Sequence, residues 1–213
     1  MAIQVSLGTP TEIVNAALVS SGHTDRIGDL YDGTETSKVA LAVYGQTRDA
    51  LLREFDPGFA QKSDNLTLLK SAPPGGYIPG VNPWNPTTYP PLPWLYEYNY
   101  PSDCLRIRGL LQQTIFLPNF SPQSVQWREF EDGTLSPPAL AIACNIPDAT
   151  IIYTQRLTDP SQWEATFIQT LVERLTVAIG PAIARINQSG ALAEKSGEGQ
   201  STQDQNTDVT WQS

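Results

Sequence analysis

The sequence predicts an α+β fold: a helical bundle of about three to four helices, with an inserted small antiparallel β-sheet and a disordered C-terminal tail. Three observations lead there. Capped amphipathic stretches stand near both ends of the chain, β-type alternation fills the region between them, and large apolar residues nearly vanish after residue 188. Residues 1–188 are expected to form one domain, with helices at 9–21, 35–56 and 160–187, a proline-rich arm at 73–101 and a sheet region at 102–156. Residues 189–213 are expected to be flexible.

The first helix is signalled by Thr9-Pro10-Thr11-Glu12. A hydroxyl stands ready to cap, proline takes the first helical position, and a glutamate three residues after the cap can bond back to its N–H. Ile13, Val14, Ala17 and Leu18 share one face, and Gly22 supplies the left-handed stop. A turn rich in Gly and Asp follows, anchored by Ile27 and Leu30. The second helix starts near Thr34 or Thr36, carries Ala40, Val43, Tyr44, Thr47, Leu51 and Phe55 at helical spacing, and stops at Asp56-Pro57-Gly58. Phe59 to Leu69 reads as a turn of helix and then extended chain.

Nine of the 18 prolines lie between Pro73 and Pro101, together with Trp84 and Trp94. Proline lacks the N–H that helices and central strands need, so this stretch predicts a long loop and a candidate contact arm. Beyond it, Cys104–Ile107, Ser124–Phe130, Ala139–Asn145 and Thr150–Gln155 read as four strands of one sheet. Glu131–Thr134 and Pro147–Ala149 mark the turns between the last three. In the final helix Asp159 caps, Pro160 begins, and Gln162 sits three after the cap. Trp163, Phe167, Ile168, Leu171, Leu175, Ala178, Ile179 and Ala182 make a broad apolar face. Gly180-Pro181 predicts a kink or interruption. The polar composition from Ser189 buries too little apolar area to order a tail, whose one large aromatic is Trp211.

Charge narrows the function. The chain carries 13 basic against 22 acidic residues, a net charge of −9, with no basic run, so tight phosphate-neutralising DNA binding is not expected. An acidic wall along which DNA slides is compatible with that balance. The first eight residues lack the pattern of a targeting segment and no run of about 18 consecutive apolar residues occurs, so no membrane partner is expected. Cys104 and Cys144 sit in apolar segments and read as reduced thiols of a protein made in the cytoplasm, with a disulfide as the alternative. Two Cys and one His do not make a metal site.

No catalytic set is expected, and no cofactor. The single histidine, His23, stands in a loop near Asp25, which fits a solvated side chain better than half of a hydrolytic pair. None of the nucleophile-elbow, zinc-protease, phosphate-loop or dinucleotide motifs occurs. Glu129, Glu131 and Asp132 cluster near one turn and Glu97 lies among Trp94, Tyr96, Tyr98 and Tyr100. Paired carboxylates among aromatics are also the equipment of carbohydrate-processing or carbohydrate-binding clefts. That is the alternative to a structural role.

Several weak signals in order carry a resemblance: Val14-Asn15-Ala16-Ala17-Leu18, then Ile27-Gly28-Asp29-Leu30, then Tyr44…Arg48…Leu51-Leu52. Tyr98-Asn99-Tyr100-Pro101-Ser102-Asp103-Cys104-Leu105-Arg106 follows, and last come Ile152-Tyr153 and Leu157-Thr158-Asp159-Pro160 before Phe167…Leu171…Leu175. Over roughly residues 10–190 this resembles the head-to-tail adaptor family of tailed bacteriophages, with Phe55 where such proteins often place Trp and a richer proline arm. The resemblance implies a non-enzymatic virion protein of the neck: a ring of about twelve copies that contacts the portal and the tail or nozzle protein and continues the DNA channel. On the same reading Trp84, Trp94 and Trp211 are candidate partner-binding residues.

Overall fold

A computed structural model describes residues 8–23, 26–112 and 125–201, the last 15 of these (187–201) by backbone course only. The chain divides into two compact units, Met1–Leu51 with Thr158–Ser213, and Leu52–Leu157. It is not a helical bundle with one inserted sheet. Three helices and two antiparallel sheets, seven strands in all among the described residues, make a mixed α+β structure.

In the helical unit α1 spans Pro10–Ser20 and begins as the sequence predicts. The Thr9 hydroxyl accepts from the Glu12 N–H at 3.2 Å, and the Glu12 carboxylate accepts from the Thr9 N–H at 3.0 Å. Ile13, Val14, Ala17 and Leu18 are buried, and Gly22 takes φ +86° just past the helix end. The Asn15 amide then ties the following turn in place, donating to the Ile27 carbonyl and accepting from the Ile27 N–H, both at 3.0 Å. Helix α2 spans Glu35–Phe55; the Thr34 hydroxyl accepts from the Ser37 N–H at its start. Ala40, Tyr44 and Leu51 are buried, but Phe55 is exposed, so it is no core substitute for a tryptophan.

The last helix departs from expectation at both ends. Asp159 does cap, accepting from the Ser161 N–H at 3.0 Å, but it caps a single 3-10 turn, Pro160–Gln162, and the Gln162 side-chain amide donates to the Asp159 carboxylate instead of accepting from the Asp159 N–H. Helix α3 starts at Ala165 and runs to Ser201 without interruption at Gly180-Pro181. The polar composition after Ser189 therefore does not end it; Ala191-Leu192-Ala193-Glu194-Lys195 are all strong helix formers. The remainder of the expected tail, with Trp211, lies outside the described residues. Phe167, Leu171, Leu175, Ile179 and Ile183 form the buried stripe, while Ala178 faces out. By length and composition Ala165–Ile186 is also apolar enough to cross a membrane. In this structure its stripe is shared with α1: Thr176 donates to the Ala17 carbonyl at 3.4 Å, and a Cβ at Gly180 would stand 3.1 Å from that of Ser21.

The strand unit contains β1 (Gln61–Asn65), β2 (Leu68–Ser71), β3 (Tyr96–Asn99), β4 (Cys104–Gln112), β5 (Trp127–Asp132), β6 (Ala139–Cys144) and β7 (Ala149–Gln155). One sheet has the order β1-β7-β4 and the other β2-β3-β6-β5. The turn at Glu131–Thr134 joins β5 to β6 as a hairpin. The turn at Pro147–Ala149 does not pair β6 with β7; it carries the chain from one sheet to the other, with Asp148 at φ +48°. Two irregularities in β4, at Cys104/Arg106 and Ile107/Gly109, break the alternation there and hide its true length. The two sheets share one apolar cluster, Ile107, Leu110, Ile151 and Tyr153 from the first with Tyr98, Ile142 and Cys144 from the second. Both cysteines are buried free thiols.

Leu18→Ala leaves a cavity in the α1–α3 seam and is expected to lower stability by about 2–5 kcal/mol in chemical denaturation. Thr9→Ala removes only one half of the capping box and is expected to cost about 1 kcal/mol. Equal losses from the two would contradict this assignment of core and surface.

Candidate interaction surface

Between Lys70 on β2 and Glu97 on β3 the chain has no charged residue at all. Most of this segment is a loop that leaves the sheet and returns to its own starting point, closed where the Ala72 N–H meets the Leu95 carbonyl at 2.7 Å. The expected arm is therefore shorter than 73–101. Its last part is β3, a central strand between β2 and β6, made possible because no proline falls between Pro93 and Pro101.

The loop is internally organised. Gly75, Gly76 and Gly80 take φ between +81° and +89°, values that a side chain would resist. Asn82 bonds the Ile78 N–H and the Gly76 carbonyl, at 3.0 and 2.8 Å. Tyr77 and Tyr89 meet edge to face with centroids 5.3 Å apart. The Trp84 indole N–H donates to the Pro90 carbonyl at 2.9 Å, and at the far end the Leu95 N–H donates to the Asn145 side chain at 2.9 Å. Beside the polar Asn85, Thr87 and Thr88, the loop shows apolar side chains to solvent: Ile78, Val81, Trp84, Leu92 and Leu95 are all exposed, Val81 to 79%. Trp84 thus lies on the exposed face and Trp94 is half-buried.

An ionic cluster fastens the loop to its sheet. Lys70 on one outer strand reaches Asp132 at the end of the other, its Nζ 2.5 Å from Oδ2, with Glu97 beneath them at 3.4 Å. The same ammonium donates to the Thr134 hydroxyl at 2.8 Å and to the Pro86 carbonyl, in the middle of the loop, at 3.0 Å. Glu97 has no exposed surface, and neither of its oxygens has a hydrogen-bond partner as a carboxylate. Burial, followed by the hydrogen bond to Asp132, pushes the Glu97 carboxyl up to about 7, against the pull of Lys70. For Asp132 burial acts upward too, but hydrogen bonds from Lys70 and the Thr134 N–H outweigh it and hold the group well below the usual carboxylate range.

This arrangement separates the carboxylates that the sequence places near one another. Asp132 and Glu97 meet, but under a lysine and out of solvent; Glu129 and Glu131 are exposed on β5. A glycosidic oxygen has no route to Glu97 in this state. His23 lies in the helical unit, its Nε2 3.3 Å from the Gly180 carbonyl, and Asp25 is outside the described residues. The cluster was hard to foresee, because Lys70, Glu97 and Asp132 are far apart in sequence and only the sheet order makes them neighbours.

Of the phrases quoted for the phage-adaptor resemblance, Tyr98–Arg106 and Ile152-Tyr153 are structural joints of the strand unit. Asp103 accepts from the Tyr153 hydroxyl at 2.9 Å and from Lys62 at 3.3 Å, and Arg106 donates to the Arg53 carbonyl at 3.2 Å. Compared with known proteins, the chain matches no family model and no curated sequence.

Because Glu97 titrates higher when folded than its ordinary 4.5, its contribution favours the fold in acid and is lost as pH rises through about 7. Glu97→Gln is expected to raise stability at pH 8 by about 1–3 kcal/mol and to remove that part of the pH dependence, read by urea denaturation at several pH values. Lys70→Met strands two buried carboxyl groups and is expected to cost about 3–5 kcal/mol at pH 8. A Lys70→Met protein as stable as the parent would contradict the cluster's role.

Proposed function

We propose that this chain is a structural protein of a tailed bacteriophage, a head-to-tail adaptor whose copies close into a ring between portal and tail and continue the DNA channel. It works through surfaces rather than reactive side chains. The observation that carries this reading is the loop between β2 and β3: uncharged, internally hydrogen-bonded, fastened by a buried lysine, and with five large apolar side chains exposed. A protein that ordered such a loop for its own core would turn those side chains inward; exposed apolar groups on a fixed scaffold are what a partner surface uses.

Two further features support it. A ring needs head-to-tail contacts between unlike faces of identical copies, and both sheets have outer strands with no further strand beside them among the described residues, β2 and β5 in one, β1 and β4 in the other. The net charge of −9 suits a conduit past which DNA moves without sticking. The specific identity as a phage adaptor, the copy number of about twelve and the portal and tail as partners come from the sequence resemblance.

The test is mass measurement and negative-stain imaging of the purified chain alone and with the portal of its own phage. A ring, or assembly only on the portal, is expected. Val81→Asp with Leu92→Asp, both on exposed positions, is expected to abolish that assembly while leaving the denaturation midpoint nearly unchanged. A chain that stays monomeric and never engages the portal would overturn the proposal.

A further inference from the structure

We propose that Lys70, Glu97 and Asp132 form a proton-operated latch, which holds the β2–β3 loop to its sheet when Glu97 carries a proton and releases the Pro86 carbonyl when it does not. The significance of releasing the loop rests on the contact role proposed above; the latch itself does not.

The number of donors on Lys70 sets the latch. An ammonium has three N–H groups and no more. Asp132, the Thr134 hydroxyl and the Pro86 carbonyl take all three, and Glu97 is left at 3.4 Å. With a proton, Glu97 is itself a donor and can hand a hydrogen bond to the Asp132 carboxylate, so the cluster holds one positive and one negative charge. Only the second Glu97 oxygen is then left without a partner.

Removing that proton leaves two carboxylates against one ammonium in a place where Glu97 has no access to water. Among the described residues no other charge acts on Glu97 to balance it. Lys70 comes from β2 and Asp132 from β5; β6 places the uncharged Ala143 in register beside it, and Arg128, on the same row of β5, is exposed. Lys70 must therefore turn one N–H to Glu97 and give up an acceptor. A charged acceptor displaces a neutral one. Of the two neutral acceptors, Thr134 is also held by Asp132, through its N–H and its hydroxyl at 2.8 Å each. The Pro86 carbonyl belongs to a surface loop whose amides and carbonyls can turn to water. It is the one let go.

The test follows the full chain by proton–nitrogen NMR between pH 5.5 and 8.5, reading the Trp84 indole N–H and the backbone amides of residues 72–95. In the parent protein these signals are expected to shift or broaden together with one midpoint near neutrality, and in Glu97→Gln to be independent of pH. The only histidine of the chain is His23, in the helical unit. Asp132→Asn, which leaves Lys70 free to pair with Glu97, is expected to move the midpoint at least tenfold in proton concentration toward acid. Loop signals that ignore pH in the parent, that respond equally in Glu97→Gln, or whose midpoint stays put in Asp132→Asn, would each overturn the latch. No partner is needed, so a failed latch and a failed adaptor assignment are told apart.

Discussion

The strand unit depends on one buried lysine. Lys70 joins the two outer strands of the four-stranded sheet and, through the Pro86 carbonyl, the long loop that the sheet carries. Burying a charge is costly unless its partners are close and complete. Here the partners are Asp132, Thr134, Pro86 and, at longer range, Glu97, and they come from three separate stretches of chain. A single side chain thus fixes where the loop sits, so the apolar residues on its outside are presented on a defined scaffold instead of a free coil.

The helical unit was largely legible in the sequence because its signals are local. The Thr9–Glu12 box, the Ile13–Leu18 face and the Gly22 stop each lie within one or two helical turns, and each is found where the pattern places it. The Leu171–Leu175–Ile179 stripe is legible for the same reason. Errors fall where local rules conflict. Gly180-Pro181 looks like a break, yet α3 continues through it, with Gly180 lying against Ser21.

The strand unit was only half legible. Strands β5, β6 and β7 announce themselves by apolar alternation, but β1 is Gln61-Lys62-Ser63-Asp64-Asn65, an outer strand with almost no buried side. Such a strand exists because β7 offers it a partner, and that information is not local. β3 was hidden differently, as four residues without proline at the end of a proline-rich segment. Without β1, β2 and β3, the sequence shows one small sheet where the chain builds two, and the Lys70–Glu97–Asp132 cluster is invisible because it exists only across strands. Trp84 and Trp94 were singled out for their composition, and their setting gives them different weights: Trp84 on the exposed face, Trp94 half-buried.

Shielding of the loop on assembly tests the account most directly. Hydroxyl-radical footprinting of the free chain and of intact particles reports side-chain access at Ile78, Val81, Trp84, Leu92 and Leu95. The account predicts strong labelling of all five in the free chain and marked protection in the particle, with the exposed Glu129–Glu131 face as an internal reference. Equal labelling of the loop in both states, with protection concentrated elsewhere on the chain, would contradict it.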